Sequence, residues 1–104
     1  MTRLEYTDGT SITLEEAAAL IEAEGRLGKA HYVTARGNRC LFGVLEQWGE
    51  VTDGSARELT RESMRRLFLQ GIDLQANDSF RGSMKARAAH FTARLRELAQ
   101  EEEA

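Results

Sequence analysis

Apolar side chains recur at intervals of three and four residues along several stretches of this 104-residue chain. The clearest stretch is the last one, where the recurring residues are Met84, Ala88, Phe91, Leu95 and Leu98. This spacing places side chains on one face of an α-helix, and a helix with one apolar face is stable only when that face is packed. The chain is therefore predicted to be dominated by amphipathic helices.

About four helices are expected. The first opens at a capping box formed by Thr13 and Glu16 and ends near Gly25. The last starts after Ser83, and residues 72–82 before it are predicted to be irregular. The inward residues of the two middle helices are predicted to be Leu41, Val44, Leu45 and Trp48 in one, and Met64, Leu67 and Phe68 in the other.

The N-terminal residues have a different pattern. Leu4 and Tyr6 alternate with polar neighbours, and Asp8-Gly9 is a favoured hairpin turn, so the first 12 residues are predicted to form a β-hairpin. Residues 29–34 are a candidate for one further short strand. The expected fold class is therefore α+β, with about four helices around one core and a small N-terminal hairpin.

Length and composition fit a single domain over residues 1–104. We divide it into a hairpin (1–12), a helical core (13–100) and an acidic tail (101–104), which we expect to fray because glutamates oppose the dipole at a helix C-terminus. No apolar run approaches the ~20 residues that cross a bilayer, and the start lacks an apolar secretion signal. A single cysteine rules out an intrachain disulfide. We expect a cytoplasmic protein with no membrane association.

Cys40 is the strongest candidate for chemistry. At the start of a predicted helix and after Arg39, free backbone amides and a positive charge favour the thiolate, which is the reactive form. His31 would be its base and Asp78 a site carboxylate, as in thiol hydrolases. The competing interpretation is a packed thiol, because cysteine is often buried and only helices follow it. Gly43, on the same helical stripe, indicates close packing by another element.

Neither a metal nor a cofactor is expected. His31 and His90 lie far apart in the sequence, and neither has a histidine or cysteine at ligand spacing. His90 falls on a polar stripe of the last helix and is predicted to be solvated or ion-paired. The pair Asn77-Asp78 is predicted to bond its own backbone and hold a tight loop.

Charge is distributed unevenly. Acidic residues outnumber basic ones in residues 1–55, and basic residues outnumber acidic ones in residues 56–100, with arginine supplying nearly all the cations. A nucleic-acid hypothesis assigns Arg65, Arg66, Arg87 and Arg94 to phosphate contacts. The acidic pI of about 5.4 and the absence of an aromatic stacking platform among the arginines argue against it. The alternative is that the two halves pair with each other.

The motif Cys40-x-x-Gly43 on a helix, followed by Asn77-Asp78 and a closing amphipathic helix, resembles a loose group of small uncharacterised bacterial and phage proteins. The resemblance spans residues 13–99 and implies shared architecture only. It makes those four residues the landmarks of the group. The N-terminal hairpin is a departure from that pattern.

The leading function hypothesis is a non-enzymatic protein-binding or regulatory accessory protein. Ala86, Ala89 and Ala93 lie roughly opposite the apolar stripe of the last helix, where small side chains would let a second helix approach, in a homodimer or a complex. The alternatives are a thiol-dependent enzyme or thiol sensor using Cys40 with His31, and nucleic-acid binding through the arginine-rich half.

Overall fold

The computed structural model describes residues 3–34, 36–47 and 57–103, and it confirms the α+β class. The described elements are β1 (Arg3–Glu5), β2 (Ser11–Thr13), α1 (Leu14–Glu24), α2 (Leu41–Leu45), α3 (Arg61–Leu69), α4 (Leu74–Ser79) and α5 (Met84–Glu103). One buried apolar cluster takes residues from both strands and from α1, α2, α3 and α5. None of these described helices has the length and apolarity to cross a membrane.

The predicted hairpin is confirmed. Strands β1 and β2 are antiparallel, with Leu4 opposite Ile12, and both of these side chains are in the core. Asp8 Oδ1 closes the turn by accepting from the backbone N–H of Thr10 at 2.9 Å. The Tyr6 hydroxyl donates to the carbonyl of Leu45 at 2.6 Å, which ties the hairpin to α2.

Helix α1 forms as its sequence signals predict. Thr13 Oγ1 accepts from the N–H of Glu16 at 3.0 Å, Glu16 Oε1 accepts from the N–H of Thr13 at 3.3 Å, and the helix ends at Gly25 with φ +74°. The buried residues of α1 are Leu14, Ala17, Ala18 and Ile21. Helix α5 packs along α1. It is capped by Ser83, the residue before it, whose hydroxyl accepts from the N–H of Ala86 at 3.0 Å.

The prediction that Phe68 points inward is wrong, because this side chain is 58% exposed. The buried edge of α3 consists of Ser63 and Leu67 instead, with Met64 half-buried. The Ser63 hydroxyl accepts from the N–H of Glu5 in β1 at 2.8 Å, so the face of α3 that carries Ser63 lies against the hairpin. Periodicity alone could not choose between two neighbouring stripes of the same helix.

Residues 72–82 are not wholly irregular, because they contain α4. Asp73 caps this helix by accepting from the N–H of Ala76 at 2.8 Å. The fully buried residue of α4 is polar, Asn77, so no apolar periodicity marks the helix in the sequence. The signal for this helix in the sequence was Asp73, a residue type that favours the N-cap position.

The stretch 29–34 makes an isolated bridge, between Val33 and Arg39, and is not assigned to a strand. Ala30 has φ +72°, a conformation that interrupts an extended segment. The second helix is shorter than predicted, because α2 ends at Leu45 and Gln47 has φ +59°, which is not helical. Trp48, the last residue of its predicted inward face, lies outside the described residues. Helix α5 runs to Glu103, three residues beyond the predicted helical core, and fraying of its acidic end stays a prediction.

Candidate functional site

The three residues proposed for thiol chemistry come together in space. Cys40, His31 and Asp78 line one pocket of about 190 Å³, although they belong to the start of α2, a loop and α4. We call this the Cys40 pocket; its other lining residues are Ala30, Tyr32 and Leu74. Proximity alone does not make a catalytic set, so the state of each group decides what the pocket can do.

The thiol of Cys40 is packed in the core. Its residue is 1% exposed, and its Sγ accepts from the N–H of Gly43 at 3.4 Å as the N-cap of α2. Burial raises the pKa of the Cys40 thiol above its usual value; the N–H of Gly43 lowers it by less, and the charge of Asp78 raises it further. Among the described residues no hydrogen bond joins this thiol to His31. Desolvation therefore outweighs the helix-start effect that favoured a thiolate.

Gly43 explains why the loop before α2 lies so close to that helix. A Cβ built on Gly43 would overlap the carbonyl oxygen of Tyr32, and the same oxygen accepts from the N–H of Cys40 at 3.2 Å. Only a residue without a side chain leaves room for this backbone contact. The prediction that another element packs closely against this stripe is confirmed.

Asn77 and Asp78 hold distant segments instead of their own loop, which corrects the local interpretation. The fully buried Asn77 amide accepts from the N–H of Leu41 at 3.2 Å and donates to the carbonyl of Gly28 at 3.0 Å. Asp78 Oδ1 accepts from the N–H of Ala30 at 3.0 Å and from the Asn77 amide at 2.9 Å. The pair therefore fastens α4 to α2 and to the loop that holds His31.

Sequence reasoning missed a second hollow, which lies between α3 and α4. It encloses about 460 Å³, and we call it the α3–α4 groove; its lining residues are Phe42, Arg61, Met64, Arg65, Phe68, Asp73, Leu74 and Gln75. Four of them, Arg61, Met64, Arg65 and Phe68, follow the spacing of one helical face on α3. The signal was present in the sequence, but it was attributed to the core.

The α3–α4 groove has an apolar interior and a charged rim. Phe42 is 2% exposed and lies at its base, whereas Phe68 is 58% exposed at its edge. Arg61 and Arg65 are exposed and form no ion pair with any described residue. Asp73, on the α4 side, is the carboxylate of the rim, and one of its oxygens caps α4.

The arginines assigned to phosphate contacts do not form a common free surface. Arg66 pairs with Glu62 at 2.9 Å, and Arg94 pairs with Glu97 at 3.1 Å. Arg87 is 4% exposed, and its guanidinium donates to two backbone carbonyls, those of Leu27 at 2.6 Å and Phe80 at 3.3 Å. Of the assigned arginines, Arg65 alone has no partner among the described residues.

The alternative account of the charges, in which the two halves pair, is confirmed at Arg96. Its guanidinium contacts Glu15 at 3.0 Å and Glu22 at 2.7 Å, joining α5 to α1. Hydrogen bonds from Arg96 hold the pKa of the Glu22 carboxyl below its usual value. Arg57 and Asp8 make a similar link at 3.5 Å.

The remaining sequence candidates lie elsewhere. His90 is exposed, with its ring centroid 5.0 Å from those of both Phe80 and Phe91. No group of three or more histidine, cysteine or acidic residues able to hold a metal occurs within 3–34, 36–47 and 57–103. The alanines predicted to be exposed are exposed, and Ala89 and Ala93 line a hollow of about 430 Å³ between α1 and α5.

Comparisons with known proteins add no relative to this description. The resemblance to small bacterial and phage proteins therefore stays a prediction that rests on the four landmark residues. No protein-family model matches the chain, and no curated protein or solved structure matches it.

Proposed function

We propose that this chain is a non-enzymatic, cytoplasmic accessory protein that binds another protein through the α3–α4 groove. The observation that supports the proposal is the exposed Phe68 at the edge of an apolar hollow. Exposed aromatic side chains beside a concave apolar surface are typical of binding sites, because a partner that covers them removes apolar area from water.

The expected contribution of Phe68 to binding is large enough to measure. Covering a large apolar side chain contributes about 1.5–3 kcal/mol, and just over half of Phe68 remains to be covered. A gain of about 1.5 kcal/mol corresponds to roughly tenfold in affinity. Phe68 is therefore expected to be the anchor of the interface.

The groove lacks the groups that most enzymes use. Among its described lining residues there is no cysteine, histidine, serine or lysine, and its single carboxylate, Asp73, caps a helix. Such a lining supports binding by shape and charge. It gives no nucleophile and no acid–base pair.

A selection experiment tests the proposal directly. A yeast-displayed library of helical peptides is selected on the purified protein, and the dissociation constants of enriched peptides are measured for wild type and variants. We expect Phe68→Ser to weaken binding about tenfold or more. Leu69→Ser is the matched control, because Leu69 is 66% exposed on the same helix but lines a different hollow.

Two outcomes would reject the groove as a binding site. One is failure to enrich any peptide that binds the wild-type protein. The other is a set of peptides whose affinity is the same for wild type and Phe68→Ser. Circular dichroism of both variants verifies that the fold is retained, which is expected because both side chains are exposed.

A second candidate function is a thiol-dependent enzyme or thiol sensor, favoured by the meeting of Cys40, His31 and Asp78 in one pocket. The burial of the thiol, which raises its pKa, opposes this function. The rate of iodoacetamide labelling against pH separates the two. We expect labelling of the folded protein to be far slower than that of the urea-unfolded protein, with a midpoint above that of an ordinary thiol. Fast labelling with a midpoint below pH 7 would favour the thiol function instead.

A further inference from the structure

The rim of the α3–α4 groove identifies the chemistry of its occupant. Arg61 and Arg65 stand one turn apart on the outer face of α3 and have no ion pair with any described residue. By contrast, Arg66 on the same helix is paired with Glu62 at 2.9 Å. The chain thus neutralises the arginine beside the groove and leaves the two groove-facing ones available.

We infer that the partner is an amphipathic helix whose apolar anchors are flanked by acidic residues on the side that faces α3. This inference rests on the proposed binding role of the groove. A helix presents anchors at i, i+3, i+4 and i+7, a length of about 10 Å, and this matches the run from Arg61 to Phe68 on α3. Guanidinium groups pair with carboxylates in bidentate geometry, so glutamate and aspartate are the expected neighbours of those anchors.

The opposite rim sets the orientation of that helix. Asp73 is half-buried on the α4 side, where a glutamate of the partner would be repelled. Acidic residues are therefore favoured along one edge of the docked helix and disfavoured along the other. This asymmetry distinguishes a specific acidic helix from any polyanion that is drawn to a basic patch.

The apolar interior favours a helix over a nucleic acid as the occupant. The lining includes four apolar side chains, those of Phe42, Met64, Phe68 and Leu74, and its rim has one carboxylate and two arginines. Phosphate binding would use the two cations and leave the exposed Phe68 without a role. A protein helix uses both features.

Three synthetic helical peptides test the inference. They share the same leucine anchors and carry glutamate, glutamine or lysine at the flanking positions on one edge; binding is measured by fluorescence anisotropy. We expect the glutamate peptide to bind about fivefold more tightly than the glutamine peptide, and the lysine peptide to bind most weakly. The glutamate preference should shrink as salt rises from 0.05 to about 0.5 M.

Variants assign that preference to the rim. The double variant Arg61→Gln with Arg65→Gln should bind the glutamate and glutamine peptides with equal affinity, whereas the wild-type protein prefers the glutamate peptide. Arg66→Gln is the matched control and should keep the preference, because that arginine is already paired. Asp73→Asn keeps an N-cap of similar quality and removes a negative charge, so it should raise the affinity for the glutamate peptide about twofold.

The outcomes separate this inference from the proposed function. If the glutamine peptide binds in a Phe68-dependent manner but glutamate gives no advantage, the acidic partner is rejected and the binding groove stands. If no peptide binds, the acidic helix is rejected, and the library selection determines whether the groove is a binding site at all.

Other occupants give different results. Sedimentation that shows a dimer lost in Phe68→Ser would make the occupant a second copy of this chain and overturn the inference. An oligonucleotide whose binding needs Arg61 and Arg65 but is indifferent to Phe68→Ser would assign the cations to phosphate and overturn it as well.

Discussion

The Cys40 pocket and the α3–α4 groove adjoin at Leu74, which lines both, yet they differ in what remains unsatisfied. In the Cys40 pocket two of the three reactive residues are used internally: Cys40 caps α2, and Asp78 accepts from Ala30 and Asn77. In the groove, Phe68 is uncovered and the two arginines are free of described carboxylates. The chemistry of a residue is thus a poorer guide to a site than whether the fold has already used it.

The substitution with the largest expected effect on stability is Gly43→Ala, which should disrupt the Cys40 pocket. The added methyl overlaps the carbonyl of Tyr32, an obstacle of backbone that cannot rotate away. We expect the free energy of unfolding to fall by about 4 kcal/mol, above the usual range for overpacking. Urea denaturation measures it.

Gly37→Ala is the control for that variant. Gly37 has φ +83° but open space around its Cβ position, so its replacement should lower the free energy of unfolding by only about 1 kcal/mol. Equal effects of the two substitutions would show that the approach of Tyr32 to α2 is not a tight contact.

A smaller loss is expected from Asn77→Ala. This change leaves the N–H of Leu41 and the carbonyl of Gly28 without their side-chain partner in a buried place, and each unpaired group is penalised. The free energy of unfolding should fall by about 3 kcal/mol. Ser79→Ala, which removes an exposed bond to the Gln75 carbonyl on the same helix, is the control and should stay within about 0.5 kcal/mol.

The smallest effect should be that of Phe68→Ser on stability. Because Phe68 is mostly exposed, its replacement should change the free energy of unfolding by less than about 0.5 kcal/mol. The same variant is expected to lose partner binding. A destabilisation above about 2 kcal/mol would mean that Phe68 is a core residue, and the contrast between groove and pocket would fail.

Local signals predicted the parts of the fold that depend on neighbours in sequence. The capping box at Thr13 and Glu16, the stop at Gly25 and the Asp8-Gly9 turn all involve atoms within four residues of each other, and the structure has each of them. Helix α4 was missed because its buried residue is Asn77, whose partners Gly28 and Leu41 are far away along the chain. No window on the sequence contains that information.

The candidate sites divide in the same way. Residue type marked Cys40, His31 and Asp78, and the fold did bring them together. Residue type could not show that the thiol is sealed from water, because desolvation depends on packing from α4 and the loop before α2. The groove was missed for a related reason: Phe68 has the spacing of a core residue, but the face of α3 that packs on the rest of the chain is the one with Ser63 and Leu67.

The order of residues alone was sufficient for the class of fold, the hairpin, both ends of α1, the start of α5 and the inward faces of these two helices, since these follow from short-range hydrogen bonding and from a wide, unambiguous apolar stripe. The tertiary structure decided the choice of buried edge on α3, the existence of α4, the burial of Cys40 and the free rim of the groove. Each depends on which distant groups come within hydrogen-bonding or van der Waals distance, and those contacts form only when the whole core is assembled.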